Sequence, residues 1–342
     1  MEALTAPRLF GVSLLQVANL ASYVIFIFTS AIGGAGLFGV PRIGETSNEL
    51  PVQVTPAGYA FSIWSLIFVL LGVLTLLQLL PQNREWSASK LGLWWVVNAA
   101  LGEGLWPFAF SLRWGGMWVS AFILLLIVGT AAGLYLAMGV GVAPLAAAPG
   151  SAEEGKGGGA GCAARLRRPS PPVSLVELLC QAGVAIYTGW TTAATILNFS
   201  IALQQAGVAE GAGAPGSAAV TAAAAALAVL AAATRTDFLF AGTLCWALTA
   251  IHVNQVRSGS APQAALDASL AAAGVAGAAA GAALLWRAGM LYLGRWQLAP
   301  LSLQLGGGGG GAATGGSSAD KSAGSPAAND VVVKNVAIVA WK

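Results

Sequence analysis

The sequence predicts an all-α integral membrane protein with about eight transmembrane helices. Only 8% of its 342 residues are charged and 57% are hydrophobic, whereas a typical soluble domain is about 25% charged. Such a chain has too few polar side chains to cover a folded surface in water, so most of that surface is expected to face lipid. A helix crosses the hydrocarbon core with about 20 apolar residues. The runs without charge are 9–41, 50–83, 91–102 (extended past Glu103 to residue 112), 114–152, 178–209, 211–234, 238–256 and 268–286.

The distribution of Lys and Arg supports this count and places both termini on the same side. Basic residues collect on the cytoplasmic-type side of a membrane. With eight spans, one side carries Arg8, Arg84, Lys90, Lys156, Arg165, Arg167, Arg168, Arg235, Arg287, Arg295, Lys321, Lys334 and Lys342. The other side carries only Arg42, Arg113 and Arg257. Both termini are therefore predicted on the positive side of a membrane that the sequence does not identify.

The first two runs differ in how they begin. The run 9–41 is too long for a signal peptide and lacks a clear cleavage site, so it is predicted to be a retained helix. The second begins at "TPAGYAFSIW", where Thr55 is a suitable N-cap and Pro56 suits a first helical turn. Tyr and Trp in such a stretch are also typical of the membrane interface.

The last three runs, within residues 211–290, are predicted to be additional helices, and two of them are rich in Ala and Gly. Gly277 and Gly281 stand four residues apart, a spacing that allows close helix packing. Together, residues 1–304 form the predicted transmembrane domain. The Pro- and Gly-rich stretch 141–174 is predicted to be a flexible inside loop, and 305–342 a Gly-rich disordered tail.

Polar and aromatic side chains recur inside three of the spans. The second carries Tyr59, Phe61 and Trp64, and the third carries Asn98, Glu103 and Trp106. The fifth carries Tyr187, Trp190, Thr191, Thr195 and Asn198, of which 187, 191, 195 and 198 share one helical face. Polar groups within a span normally face protein or a cavity. They indicate either a small-molecule cavity with aromatic walls or hydrogen bonds that only hold the helices together.

Glu103 has two interpretations. It is a possible relay for protons or cations in a transporter, or a residue near the end of its span that reaches the interface or accepts a hydrogen bond. Catalysis is not predicted, because the spans contain no carboxylate pair, Ser-His-Asp set or phosphate-binding loop. With three cysteines and one histidine, no metal site is expected. The basic residues are scattered without aromatic stripes, so nucleic acid is not an expected partner.

Several of these stretches resemble a known family. "VQVTPAGYAFSIWSLIF", preceded by "TSNELP", and then "NAALGEGLWPFAF" and "YTGWTTAATILNFSIAL" are similar to the tryptophan-rich sensory protein branch of the TspO/MBR (translocator protein, peripheral benzodiazepine receptor) family. The later "CWAL" is similar to a signature of the longer branch. The resemblance implies a five-helix core at roughly residues 10–205, followed by three extra helices. The sequence departs from the family pattern at "TPAG", where a double proline is usual, and at Tyr59, where a Trp is usual.

The resemblance also implies a binding or sensor protein for a tetrapyrrole, such as a porphyrin or haem-like molecule, or for a sterol or other lipid-like molecule. Assistance in ligand transport, contact with membrane lipids and a homodimer are further implications. The alternatives are a proton-coupled secondary transporter that uses Glu103 and a structural membrane subunit without a ligand. By the resemblance, the ligand-binding residues are Pro56, Phe61, Trp64, Asn98, Trp106, Trp190 and Asn198. The aromatic and polar positions of the same spans add Tyr59, Tyr187 and Thr191 as predicted ligand-binding residues.

Overall fold

The computed structural model describes residues 7–9, 12–80, 83, 90–140, 173–208, 213–292 and 298–299. All of them belong to one compact unit, Met1–Leu301. The predicted tail 305–342 and nearly all of the predicted loop 141–174 lie outside the described residues.

Nine helices account for most of the described chain. They are α1 (Leu14–Ala35), α2 (Ile43–Glu49), α3 (Ile63–Leu77), α4 (Gly92–Val96, Val97–Glu103 and Gly104–Ser111), α5 (Met117–Ala137), α6 (Leu175–Gln205), α7 (Gly213–Arg235), α8 (Phe238–Ser258) and α9 (Gln263–Tyr292). Two short strand pairings accompany them: β1 (Pro7–Leu9) is antiparallel to β2 (Val12–Ser13), and β3 (Val173–Ser174) is parallel to β4 (Leu298–Ala299).

The predicted all-α membrane fold is confirmed. Six helices in the described part of the chain are long and apolar enough to cross a membrane: α1, α3 with the turn before it, α5, α7, α8 and α9. The other two predicted spans correspond to the three-part helix α4 and to α6, which has 31 residues. The protein is therefore an integral multi-pass membrane protein, and the count of eight spans stays a prediction.

Two of the long helices begin at residues that cap them. The Ser13 side chain accepts a hydrogen bond from the Gln16 N–H at the start of α1. Asp237 accepts from the N–H groups of Leu239 and Phe240 at the start of α8. Both caps satisfy backbone donors that have no partner within the helix.

The start of α3 differs from the prediction. Thr55 is not its N-cap, because its hydroxyl oxygen accepts a hydrogen bond from the Val52 N–H at 2.9 Å. The chain instead makes a 3₁₀ turn at Gly58–Ser62 before α3 begins at Ile63.

The segment 55–60 is held in place by α8. The Ala57 N–H donates to the Ala250 carbonyl at 2.9 Å, and Asn254 Nδ2 donates to the Thr55 carbonyl at 3.1 Å. Trp246 Nε1 donates to the Ala60 carbonyl at 3.1 Å. The C-terminal helices are therefore integrated with the first half of the chain through hydrogen bonds to its backbone.

Small residues allow several of the helices to approach closely. A Cβ atom on Gly189 would lie 3.0 Å from Thr243 of α8, and one on Gly183 would lie 2.9 Å from Leu70 of α3. In α9, Gly277 approaches the Cys245 sulfur, whereas Gly281 has no neighbour within 4 Å of its would-be Cβ. Only the first of the two predicted packing glycines in α9 therefore contacts another helix closely.

Candidate ligand-binding cavity

A small cavity lies among the helices of the N-terminal half. Its free volume is about 20 Å³, which is enough for a water molecule. Side chains from α2, the turn before α3, and α3 to α6 line it. They are Ile43, Ser47, Phe61, Trp64, Glu103, Trp106, Phe110, Leu124, Trp190, Thr191, Ala194, Leu197 and Asn198.

Aromatic rings from three helices and one turn form much of the cavity wall. The rings of Trp64 and Trp190 meet edge to face with their centroids 6.5 Å apart. Phe61 meets Trp190 in the same way at 5.6 Å, and Trp106 is stacked on Phe110 at 5.3 Å. Edge-to-face and offset contacts are the favourable arrangements of aromatic pairs, so this wall is stable without a ligand.

One hydrogen-bond donor on this wall has no partner among the described residues. The indole N–H of Trp106 is buried, and the described residues offer it no acceptor. The polar groups that also line the cavity bond elsewhere: Asn198 Oδ1 accepts from Ser120, and the Thr191 hydroxyl donates to the Tyr187 carbonyl. A buried donor without an acceptor is costly, so Trp106 is a point at which a ligand or water can gain a hydrogen bond.

A buried polar network lies beside the cavity and links α4, α5 and α6. The Tyr187 hydroxyl lies 2.6 Å from Asn98 Oδ1 and 2.7 Å from Glu103 Oε1. Asn98 Nδ2 donates to the Ile127 carbonyl and to Thr130 Oγ1, both at 2.8 Å. Because Nδ2 is oriented by two acceptors on α5, the amide oxygen of Asn98 is directed at Tyr187.

The number of available protons determines whether the Glu103 carboxyl in this network must be protonated. A phenol carries one proton and can donate to only one of the two oxygens beside it, and an amide oxygen can only accept. Both short contacts of Tyr187 are hydrogen bonds only if the carboxyl of Glu103 also carries a proton. The geometry is therefore that of a neutral glutamic acid within the network.

The helical form of α4 brings Asn98 and Glu103 to the same phenol. Five residues of an ordinary α-helix turn by roughly 500°, which would leave their side chains about 140° apart. The segment Val97–Glu103 is instead π-helical, and the Gly104 N–H bonds to the Ala99 carbonyl five residues earlier. Residues five apart then lie on one face, so both side chains reach Tyr187.

Pro107 and Gly33 place the second half of α4 against α1. Pro107 has no N–H with which to bond the carbonyl of Glu103 four residues earlier. The hydroxyl of Thr29 on α1 lies 3.4 Å from that carbonyl. A Cβ on Gly33 would come within 2.8 Å of Pro107, so the glycine is what permits this approach.

Comparison with protein-family models shows to which family this chain belongs. The family model described as "TSPO-like protein" matches residues 16–285, which span from α1 into α9. The chain belongs to the TSPO-like family. Comparisons with curated proteins and with solved structures give no match. The match includes α7, α8 and most of α9.

Most of the predicted site residues of this TSPO-like protein line the cavity. They are Phe61, Trp64, Trp106, Trp190, Thr191 and Asn198, together with the possible relay Glu103. Thr195 was predicted to share one face of α6 with Tyr187, Thr191 and Asn198. It is also buried, and its hydroxyl donates to the Thr191 carbonyl at 2.7 Å.

Four other predicted residues do not line the cavity. Asn98 and Tyr187 bond to each other and to neighbouring helices, as in the predicted alternative of interhelical hydrogen bonding. The Tyr59 ring packs edge-on against Trp246 of α8, with centroids 5.2 Å apart. Pro56 lies in the segment that α8 holds through Ala57. Tyr59 and Pro56 do not reach the cavity because the start of "TPAGYAF" packs against α8 instead.

Sequence reasoning missed the contribution of α2. Ile43 and Ser47 of this short helix reach the cavity, although the stretch is only seven residues long and contains two glutamates. A salt bridge between Glu49 and Arg113 fastens the end of α2 to the turn after α4. The opposite charges of these two residues are the only sequence signal of that contact. Because the residues lie far apart in the sequence, the sequence does not show that they pair.

Proposed function

We propose that this TSPO-like protein binds a flat, largely apolar small molecule, a tetrapyrrole such as a porphyrin or a sterol-like lipid, and acts as its membrane sensor. We also propose its place in the tryptophan-rich sensory branch. The observation that carries the proposal is the cavity on which Trp64, Trp106 and Trp190 converge from three helices. Ligand sites are commonly lined by such aromatic walls with a few polar groups.

The unpartnered Trp106 N–H adds a chemical requirement for the ligand. A porphyrin propionate, a carbonyl or a sterol hydroxyl would provide the acceptor that the described residues do not. Most of the remaining lining is apolar, so the ligand would gain its affinity mainly from ring contacts and its orientation from this hydrogen bond.

Binding requires the cavity to open. Its 20 Å³ is far below the roughly 300–1,000 Å³ of sites for drug-sized ligands. We propose that α2 is the element that moves. Its ion pairs with Arg113 and within Arg42–Glu45 are largely exposed, and exposed pairs contribute only about 0–1 kcal/mol. We expect α2 to move outward and the rings of Trp64 and Trp190 to separate around the ligand.

The test is a titration of the purified full-length protein in detergent with protoporphyrin IX, followed by tryptophan fluorescence. We expect saturable quenching, competition by a sterol analogue and an increase in the thermal unfolding midpoint. Quenching that rises linearly without saturation and leaves the unfolding midpoint unchanged would contradict ligand binding.

A second candidate function is a proton-coupled secondary transporter. The observation in its favour is Glu103, a carboxyl that is 2% exposed, lines the cavity and shares a hydrogen bond with Tyr187. Carboxyls within spans are typical of proton relays. Uptake into proteoliposomes that depends on a proton gradient and is lost in Glu103→Gln would favour this function. Gradient-independent binding in both proteins would favour the sensor.

A structural subunit without a ligand is the third interpretation. The bonds of Asn98 and Tyr187 across α4, α5 and α6 would serve it equally well. This interpretation predicts that no tetrapyrrole or sterol binds saturably. The titration described above tests that prediction directly.

A further inference from the structure

A second polar cluster surrounds Arg235, where α7 ends and α8 begins. This residue is the last of α7, and its Nε donates to the Val140 carbonyl just after α5 at 2.8 Å. Its guanidinium lies over the ring of Tyr135, 5.0 Å from the centroid. A guanidinium on an aromatic face gains a cation–π attraction, so Arg235 is held from two directions.

The nearby carboxylate does not neutralise Arg235 by direct pairing. Asp237 Oδ2 accepts from the Tyr135 hydroxyl at 2.6 Å, and Oδ1 accepts from the N–H groups of Leu239 and Phe240. The salt bridges among the described residues lie elsewhere in the fold. The two terminal nitrogens of Arg235 therefore have no partner within the described part of the chain.

A second arginine converges on the same point. Arg287 of α9 donates from Nε to Thr236 Oγ1 at 3.3 Å and from Nη2 to the Arg235 carbonyl at 3.4 Å. Its guanidinium lies 5.8 Å from the centroid of the Phe238 ring. Two guanidinium groups thus lie in the same cluster as the carboxylate of Asp237.

The cluster lies where a lipid headgroup would be. It is formed by the ends of α7, α8 and α9 and the residues after α5, on the face that the charge distribution predicts to be positive. Leu285 and Trp286 beside Arg287 are 75% and 59% exposed, as expected for side chains that face lipid. Arginines at the ends of membrane-spanning helices meet the phosphate layer, and anionic lipids are concentrated on the cytoplasmic leaflet.

We propose that Arg235 binds the phosphate of an anionic phospholipid headgroup, with Arg287 supplying additional positive charge. The planar fork of arginine suits bidentate contact with phosphate oxygens. Tyr135 supports the guanidinium plane and the Val140 carbonyl holds Nε, so the two terminal nitrogens are oriented before the lipid arrives. This site is distinct from the tryptophan-lined cavity and does not depend on its function.

The experiment uses full-length protein in phosphatidylcholine nanodiscs with or without phosphatidylglycerol. Native mass spectrometry counts the retained lipid, and thermal unfolding measures stabilisation. We expect phosphatidylglycerol to be retained preferentially by the wild type. Loss of a charge-assisted contact in Arg235→Gln should weaken retention about tenfold or more.

Two further variants make the result interpretable. Arg235→Lys keeps a positive charge beside Tyr135 but lacks the fork, so it should fold normally and retain less anionic lipid than the wild type. Arg257→Gln removes an exposed arginine at the other end of α8 and should retain lipid as the wild type does. Equal retention by Arg235→Gln and Arg257→Gln would overturn the proposal. So would equal stabilisation of the wild type by inorganic phosphate in phosphatidylcholine nanodiscs, which would assign the site to a soluble anion.

Discussion

Replacement of Trp190 by alanine is the sharpest test of the cavity as a ligand site. Its side chain is 3% exposed, and its ring meets those of Phe61 and Trp64. A flat ligand between these rings would lose at least one aromatic contact of about 0.5–1.5 kcal/mol and the apolar burial that accompanies it. Since about 1.4 kcal/mol is tenfold in affinity, we expect Trp190→Ala to weaken protoporphyrin binding by about tenfold or more.

The assay compares the midpoints of fluorescence-quenching titrations, because removal of a tryptophan changes the amplitude in any case. Truncation of a buried Trp also costs about 3–5 kcal/mol of stability, so folding is checked by circular dichroism. Trp190→Phe, which keeps an aromatic ring, should recover part of the affinity.

The matched control is Trp118→Ala. Trp118 lies on α5, is 36% exposed and contacts Phe122 and Phe199 rather than the cavity. It should bind protoporphyrin with an affinity close to that of the wild type. Equal affinities of Trp190→Ala and Trp118→Ala would refute the argument, and the aromatic residues would then serve only to pack and anchor the helices.

Two other predictions concern the buried network and the topology. Tyr187→Phe leaves the Asn98 amide oxygen without a donor and the Glu103 carboxyl proton without an acceptor, and it should cost about 1–3 kcal/mol for each. Glu103→Gln keeps a neutral donor and should cost less than about 1 kcal/mol. Unfolding titrations in mixed micelles measure both, and a Glu103→Gln variant less stable than Tyr187→Phe would argue against a neutral carboxyl. Tags after Lys342 and within 141–174 should be protected from reagents added on the side where a tag near Glu210 reacts, and labelling of the 141–174 tag together with the Glu210 tag would contradict eight spans.

The sequence was a good guide to the helices because the relevant signals are local. Runs of apolar residues predict spans by their own transfer into lipid, and even the Ala- and Gly-rich runs are helices α7 and α9. The aromatic and polar positions on α6 were also predictable, since helical spacing alone places Tyr187, Thr191 and Asn198 on one buried face.

The local sequence pattern gave a wrong helix start where a distant segment bonds to the same backbone and side-chain groups. "TPAGYAF" has the composition of a helix start, yet Thr55 bonds to Val52 and Asn254, and Tyr59 turns to Trp246. A cap or an aromatic anchor depends on which acceptor and which ring lie nearby, and α8 is separated from this segment by nearly two hundred residues.

The sequence by itself determined that this protein is a helical membrane protein and indicated which spans carry the tryptophans, because hydropathy and charge act residue by residue. The tertiary structure decided which side chains meet. The contacts of Asn98 and Glu103 with Tyr187, and the contact of Arg235 with Tyr135, join helices far apart in the chain. Such contacts depend on helix register and close approach, and no local pattern of residues encodes either one alone.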